Sequence, residues 1–204
     1  MTDKPNLSAA YALQTPDDNR ALYARWAGTY DSDFVAANDY ILHLVVAEAF
    51  AAIGTGPVLD IGAGTGLCGA ALAALGVGPV DGTDISPEML DQAATRGTYR
   101  DLFAGDILAG LGGPAGRYNG IVSSGTFTHG HVGPEALDEV LRLLAPGGVA
   151  VLSVNAAHFE DHGFAAKMDA LPVDIHLADV PIYGPNGAGP NAKDRARLVT
   201  LRPR

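Results

Sequence analysis

The sequence predicts an α/β fold, a mostly parallel sheet of seven strands with a helical cap before it and an antiparallel hairpin closing it. Three observations carry that expectation. From residue 58 onward, short apolar runs alternate with helical stretches, the rhythm of strand–helix–strand units whose strands are covered on both faces. A glycine-rich turn, Gly62-Ala63-Gly64-Thr65-Gly66, separates the first apolar run from the first of these helices, as in sheets that bind a ligand at strand ends. Near the carboxyl terminus, residues 174–183 and 196–201 alternate as strands around a glycine- and proline-rich connection at 184–194, the pattern of a hairpin.

The elements follow in order. Thr15-Pro16-Asp17-Asp18 supplies a cap, an early proline and acids for a first helix, which Trp26-Ala27-Gly28 breaks. A second helix is expected over 36–53, where Ile41, Leu44, Val45 and Ala49 share one stripe and Gly54 stops it. Strands are expected at 58–61, 79–84, 99–103, 120–124 and 149–154, with helices at 67–75, from Ser86-Pro87-Glu88, from Pro134, and at 159–170. The chain reads as one domain, with residues 1–54 as the cap and 55–204 as the core.

Composition narrows the function. Apolar residues make up 48% and charged residues 18% of the chain, and no apolar run approaches a bilayer's thickness. The acidic, proline-bearing start does not read as a secretory signal, and the single cysteine, Cys68, cannot form an internal disulfide, so a cytoplasmic location is expected. A formal net charge of −10 opposes binding to a phosphate backbone. The basic tail of Lys193, Arg195, Arg197, Arg202 and Arg204 reads as the solvated face of an edge strand.

Chemistry concentrates around the glycine turn. Alternate glycines let backbone approach a ligand where a side chain would collide, and exposed amides at the following helix favour an anionic group. Gly66 comes too early for the G-x-G-x-x-G pattern of dinucleotide sites. Asp60, just before the turn, disfavours a pyrophosphate and suits an ammonium, directly or through water. Asp84, at the end of the second strand, can accept both hydroxyls of a ribose.

With 58–66, Thr83-Asp84-Ile85-Ser86-Pro87-Glu88-Met89-Leu90, Gly105-Asp106-Ile107 and Leu143-Leu144-Ala145-Pro146-Gly147-Gly148, the sequence resembles the class I S-adenosylmethionine-dependent methyltransferases over roughly residues 20–155. Residues 23–31 and 125–132 look most like the Williams-Beuren syndrome region methyltransferase-like proteins. The resemblance implies a Rossmann-like fold, S-adenosylmethionine as cofactor, and S-adenosylhomocysteine as product. It implies that Asp84 holds the ribose, that Ile85 and Met89 pack on the adenine, and that Asp106 takes the adenine amino group with the Ile107 backbone nearby. It further implies that Gly62, Ala63, Gly64 and Gly66 shape the cofactor turn, that Trp26 and Tyr30 fold over it, and that Ser123 and Ser124 line the methionine side.

A sulfonium already makes its methyl group electrophilic, so the protein's task is to align an acceptor, exclude water and, where needed, remove a proton. His129, beyond the fourth strand, is the candidate base. His158 and His162 stand at i and i+4, but Glu160 is misplaced for H-E-x-x-H and a solvated helix face is the expectation, with no metal. The asparagine-proline-proline-aromatic signature of base-methylating enzymes is absent at Ser123-Ser124-Gly125-Thr126. A small-molecule acceptor, no nucleic acid or membrane partner, and a monomer or homodimer are expected. A cofactor-binding regulatory module and an NAD(P)-dependent oxidoreductase stand as alternatives.

Overall fold

Val58, Leu59, Asp60 and Ile61 form β1 (Val58–Ile61), buried at every position, as an apolar run in the middle of a doubly covered sheet must be. The computed structural model describes residues 22, 24–129, 131–187 and 192–204, so the expected capping motif at Thr15-Pro16-Asp17-Asp18 lies outside the described residues. β2 (Val80–Asp84) and β4 (Tyr118–Phe127) flank β1, and β3 (Asp101–Ala104) and β5 (Leu144–Asn155) extend the sheet outward, all in parallel. β7 (Arg195–Pro203) runs antiparallel to β5, and β6 (Val173–Pro181) antiparallel to β7, giving the seven-stranded order β3-β2-β1-β4-β5-β7-β6. Strand order reverses between β1 and β4, where open α/β sheets place their ligands.

Alternation along the strands sorts the core onto two faces. Val58, Val122 and Val151 pack with Val46 and Phe50 of α1 (Leu42–Ala51) and Leu72 of α2 (Leu67–Ala74). Leu59, Ile61, Ile121 and Leu152 pack with Leu137, Val140 and Leu143 of α4 (Ala136–Leu143) and with Phe164 of α6 (Phe164–Asp169). Between these lie α3 (Pro87–Thr95), capped by Ser86 Oγ accepting from Met89 N, and α5 (Ala156–Asp161), capped by the Asn155 side chain. Gly120 sits directly beneath Phe50, and a Cβ there would overlap the ring, so α1 packs onto the sheet at a position that only glycine leaves open.

The expected helix over 36–53 is broken. A π-helical segment, Asp31–Val35, runs into Ala36–Asn38, and the chain then turns at Asp39, whose φ is +52°, before α1 begins. Contacts from the far end of the chain hold this break. Gly184 N donates to Asp39 O at 2.8 Å, Asn186 N to Asp39 Oδ2 at 2.9 Å, and Tyr40 bridges Tyr183. The helix expected at 159–170 likewise divides into α5 and α6 at Gly163, with φ of +74°.

The closing hairpin is antiparallel, but β7 is interior, inserted between β5 and β6, which corrects the reading of the basic tail as an edge strand. Three arginines in or just after it meet acids instead, while Arg202 donates to Ile53 O at 3.1 Å. Arg195 pairs with Asp179 at 2.8 Å, Arg197 with Glu160 at 2.8 Å, and Arg204 with Asp174 at 2.8 Å. Among the described residues, no helix is long and apolar enough to cross a membrane.

Candidate functional site

The carboxyl ends of β1, β2 and β4 open on a cavity of roughly 220 Å³. Gly62, Ala63 and Gly64 line it from the turn after β1, Thr83, Asp84, Ile85 and Met89 from β2 and α3, and Asp106 and Ile107 from the loop after β3. Ser124 and Thr126 of β4 complete the floor, while Trp26, Tyr30, Phe34 and Tyr40 lie on the amino-terminal side.

The turn requires its glycines. Gly62, Gly64 and Gly66 have φ of +70°, +54° and +87°, a region that costs other residues strain. Gly62 N and Ala63 N both donate to Thr83 O, at 2.8 and 2.9 Å, binding the turn to β2. Asp84 fastens it further, accepting from Gly64 N at 2.8 Å and from Ser86 N at 2.9 Å. Burial raises the Asp84 carboxyl above the ordinary range, and the amides of Ser86 and Gly64 pull it back.

Three expected residues stand behind the wall. Gly66 shapes the turn, Ser123 Oγ donates to Ile61 O at 2.7 Å, and neither lines the cavity. Asp60 is fully buried and also off the lining. The residue alternates inward from Ile61, toward Tyr99, whose hydroxyl donates to Asp60 Oδ2 at 2.7 Å. Burial pushes Asp60 up to about 7; Tyr99 opposes the shift, and the Asp84 charge adds to it. Its Oδ1 has no hydrogen-bond partner among the described residues, and Cys68, near enough for the Asp60 charge to raise its thiol further, does line the cavity.

A latch that the sequence did not reveal joins the cap to the turn. Thr65 Oγ1 donates to Asp31 Oδ1 at 2.6 Å, Arg96 Nε donates to Thr65 O at 2.6 Å, and Arg96 pairs with Asp31. Beside it, Tyr30 stacks on Phe34 with centroids 5.1 Å apart, and Tyr40 stacks on His43 at 5.7 Å. His43 lines the cavity and was missed because it reads as one more polar residue of α1. Burial, then the Arg96 charge, lower its pKa against the pull of Asp31, so its ring is neutral at pH 7.

The histidines fall differently from expectation. His131 lines the cavity, and His129, the candidate base, does not. The loop turns His129 outward, to within 3.9 Å of Asp161 Oδ2 and toward His158 and His162. His162 is exposed, but His158 is 3% exposed, so these two do not form a solvated helix face.

S-adenosylmethionine has a sugar, a base and a charged amino-acid end, and the cavity offers a partner for each. Asp84 and Asp106 stand at two strand ends, the side chain of Ile85 and Met89 supplies apolar surface, and an ideal Cβ on Gly64 would meet nothing within 4 Å, so backbone there faces open space. Thr83 Oγ1, buried and lining the cavity, has no partner among the described residues. The residues fit the group.

Comparison with known proteins agrees. Residues 58–148 match a family model described as Methyltransferase domain. The chain is similar to human Methyltransferase-like protein 27, 31% identical over 162 residues, covering 74% of this chain and 64% of that protein. It is also similar to the bovine 18S rRNA (guanine-N(7))-methyltransferase, 46% identical over 66 residues, covering 32% of this chain and 23% of that one. The chain thus spans less than two thirds of the length of either relative. The DhpI-SAH complex shares the fold at a TM-score of 0.67 and 20% identity, over 92% of this chain and 96% of that one. Strand order, glycine turn, paired acids and the matched segment together make this chain similar to the class I S-adenosylmethionine-dependent methyltransferases.

Proposed function

We propose that the chain transfers a methyl group from S-adenosylmethionine to a small-molecule acceptor. The observation that carries this reading is the convergence of the glycine turn, Asp84 and Asp106 on one cavity at the strand-order reversal. Asp84 takes the ribose hydroxyls, Ile85 and Met89 the faces of the adenine, and Asp106 its amino group beside Ile107. Gly62, Ala63, Gly64 and Ser124 border the amino-acid end, with Gly66 and Ser123 holding that wall from behind. Asp60 stands behind the wall at the amino-acid end, and Trp26 and Tyr30 close the cap.

When bound, the cofactor supplies a methyl group already activated by a sulfonium, so the transfer itself needs no metal. The protein orients the acceptor and keeps water out with the aromatic side chains of Tyr30, Phe34, Tyr40 and Tyr183, all of which line the cavity. Such a wall suits a flat or apolar acceptor. Where the acceptor must lose a proton, His43 is the candidate base, since its ring is neutral and its Nδ1 has no partner among the described residues.

Titration calorimetry with S-adenosylhomocysteine and with NAD tests the reading. S-adenosylhomocysteine binds and NAD does not, and Asp84→Ala lowers the affinity for S-adenosylhomocysteine by about 10- to 100-fold, the loss of hydrogen bonds to a charged group. NAD binding without a response to S-adenosylhomocysteine, or full affinity in the Asp84 variant, overturns it.

A further inference from the structure

We infer that His129, His158 and His162 form a transition-metal site, best matched to zinc, behind the cavity wall to which Thr128, His131 and Val132 contribute. One ring nitrogen from each of the three lies within 4.8 Å of the others. Tetrahedral zinc with Zn–N bonds of ~2.1 Å places its nitrogens ~3.4 Å apart. Side-chain rotation by about an ångström closes that difference, most readily at the exposed His162.

The third ring is already set. His158 Nε2 lies 2.9 Å from Val132 O. A carbonyl only accepts, so Nε2 carries the proton and Nδ1 carries the lone pair. That Nδ1 is buried, in a side chain 3% exposed, and has no hydrogen-bond partner among the described residues. An orphaned buried acceptor is costly, and a metal ion would satisfy it. The same geometry, one ring nitrogen donating to a backbone carbonyl and the other turned inward, is how proteins orient metal-binding imidazoles. Asp161, with Oδ2 3.9 Å from His129 Nε2, is placed to do likewise for His129.

Donor chemistry selects the ion. Three imidazoles suit zinc, copper, nickel or cobalt, not magnesium or calcium, and three protein ligands leave a fourth position for water. The site brings together a loop and a helix end, His129 on one and His158 and His162 on the other. Thr128, His131 and Val132 of that loop line the cavity, so an ion here fixes the acceptor side of the wall without entering the transfer step. The site does not depend on which acceptor the cavity takes.

The test uses tag-free, metal-stripped protein titrated with Zn²⁺ by calorimetry and with Co²⁺ by visible absorption. One equivalent binds, and Co²⁺ gives a tetrahedral spectrum. His162→Ala and His129→Ala each weaken binding by about 100-fold or more, at least the loss seen for outer partners of metal ligands. Neither shifts the melting temperature of the metal-free protein, which separates ligation from folding, and His176→Ala, on the exposed strand β6, changes nothing. Zn²⁺ also slows amide exchange at residues 128–132. Failure to bind one equivalent, unchanged affinity in His162→Ala, or exchange at 128–132 indifferent to Zn²⁺ overturns the inference.

Discussion

Asp60 is a carboxylic acid held where no water reaches it. Its pKa stands at about 7 in the folded chain, against about 3.9 when unfolded. Between those values the folded protein keeps a proton that the unfolded chain releases, so stability falls as pH rises from about 4 to 7. The slope approaches about 1.4 kcal/mol per pH unit. Asp60→Asn keeps an acceptor for the Tyr99 hydroxyl and has no charge to bury. Urea denaturation at pH 5 and pH 8 is expected to show the parent losing stability across the interval while the variant stays nearly level. Parallel profiles would falsify a protonated, buried Asp60. His158 teaches the complementary lesson at the same scale: the i, i+4 spacing with His162 was visible in the sequence, but its burial depends on Phe164 and Val132, contacts that no local pattern announces.

At the scale of elements, the strands of the parallel sheet were legible because apolar runs and glycine punctuation are local. β1, β2, β4 and β5 all contain their expected cores, although β4 and β5 run longer, β5 starting at Leu144 as soon as α4 ends. The break at Asp39 was not legible, because its left-handed backbone is held by Gly184 and Asn186 from the opposite end of the chain. The latch was hidden for the same reason, its ion pair joining positions 31 and 96. That pair is partly exposed, so its worth is about 0.2–1 kcal/mol, with the Thr65 hydrogen bond adding about 1 kcal/mol. Asp31→Ala is therefore expected to leave the melting temperature within a few degrees of the parent, while amide exchange at 31–38 quickens and S-adenosylhomocysteine affinity drops several-fold. Exchange unchanged in this segment would show that the cap is held by its aromatic packing alone.

For the whole molecule, the net charge of −10 acts together with the pairing of Arg195, Arg197 and Arg204 to acids. The strand richest in bases thus offers little uncompensated positive charge, and filter binding at 0.15 M salt is expected to show no retention of structured RNA. Retention that weakens steeply with salt would instead align the chain with its rRNA-methylating relative. The sheet order was only half legible: the hairpin's direction follows from its short connection, but the insertion of β7 beside β5 is a choice among tertiary arrangements. The bridge from Tyr40 to Tyr183, with Ile41 N donating to Ile182 O at 3.1 Å, makes the rim of the cavity a seam between two distant stretches of chain. Because that seam joins two distant stretches of chain, substitutions in either one are expected to reshape the rim of the cavity while the parallel sheet beneath it keeps its pairing.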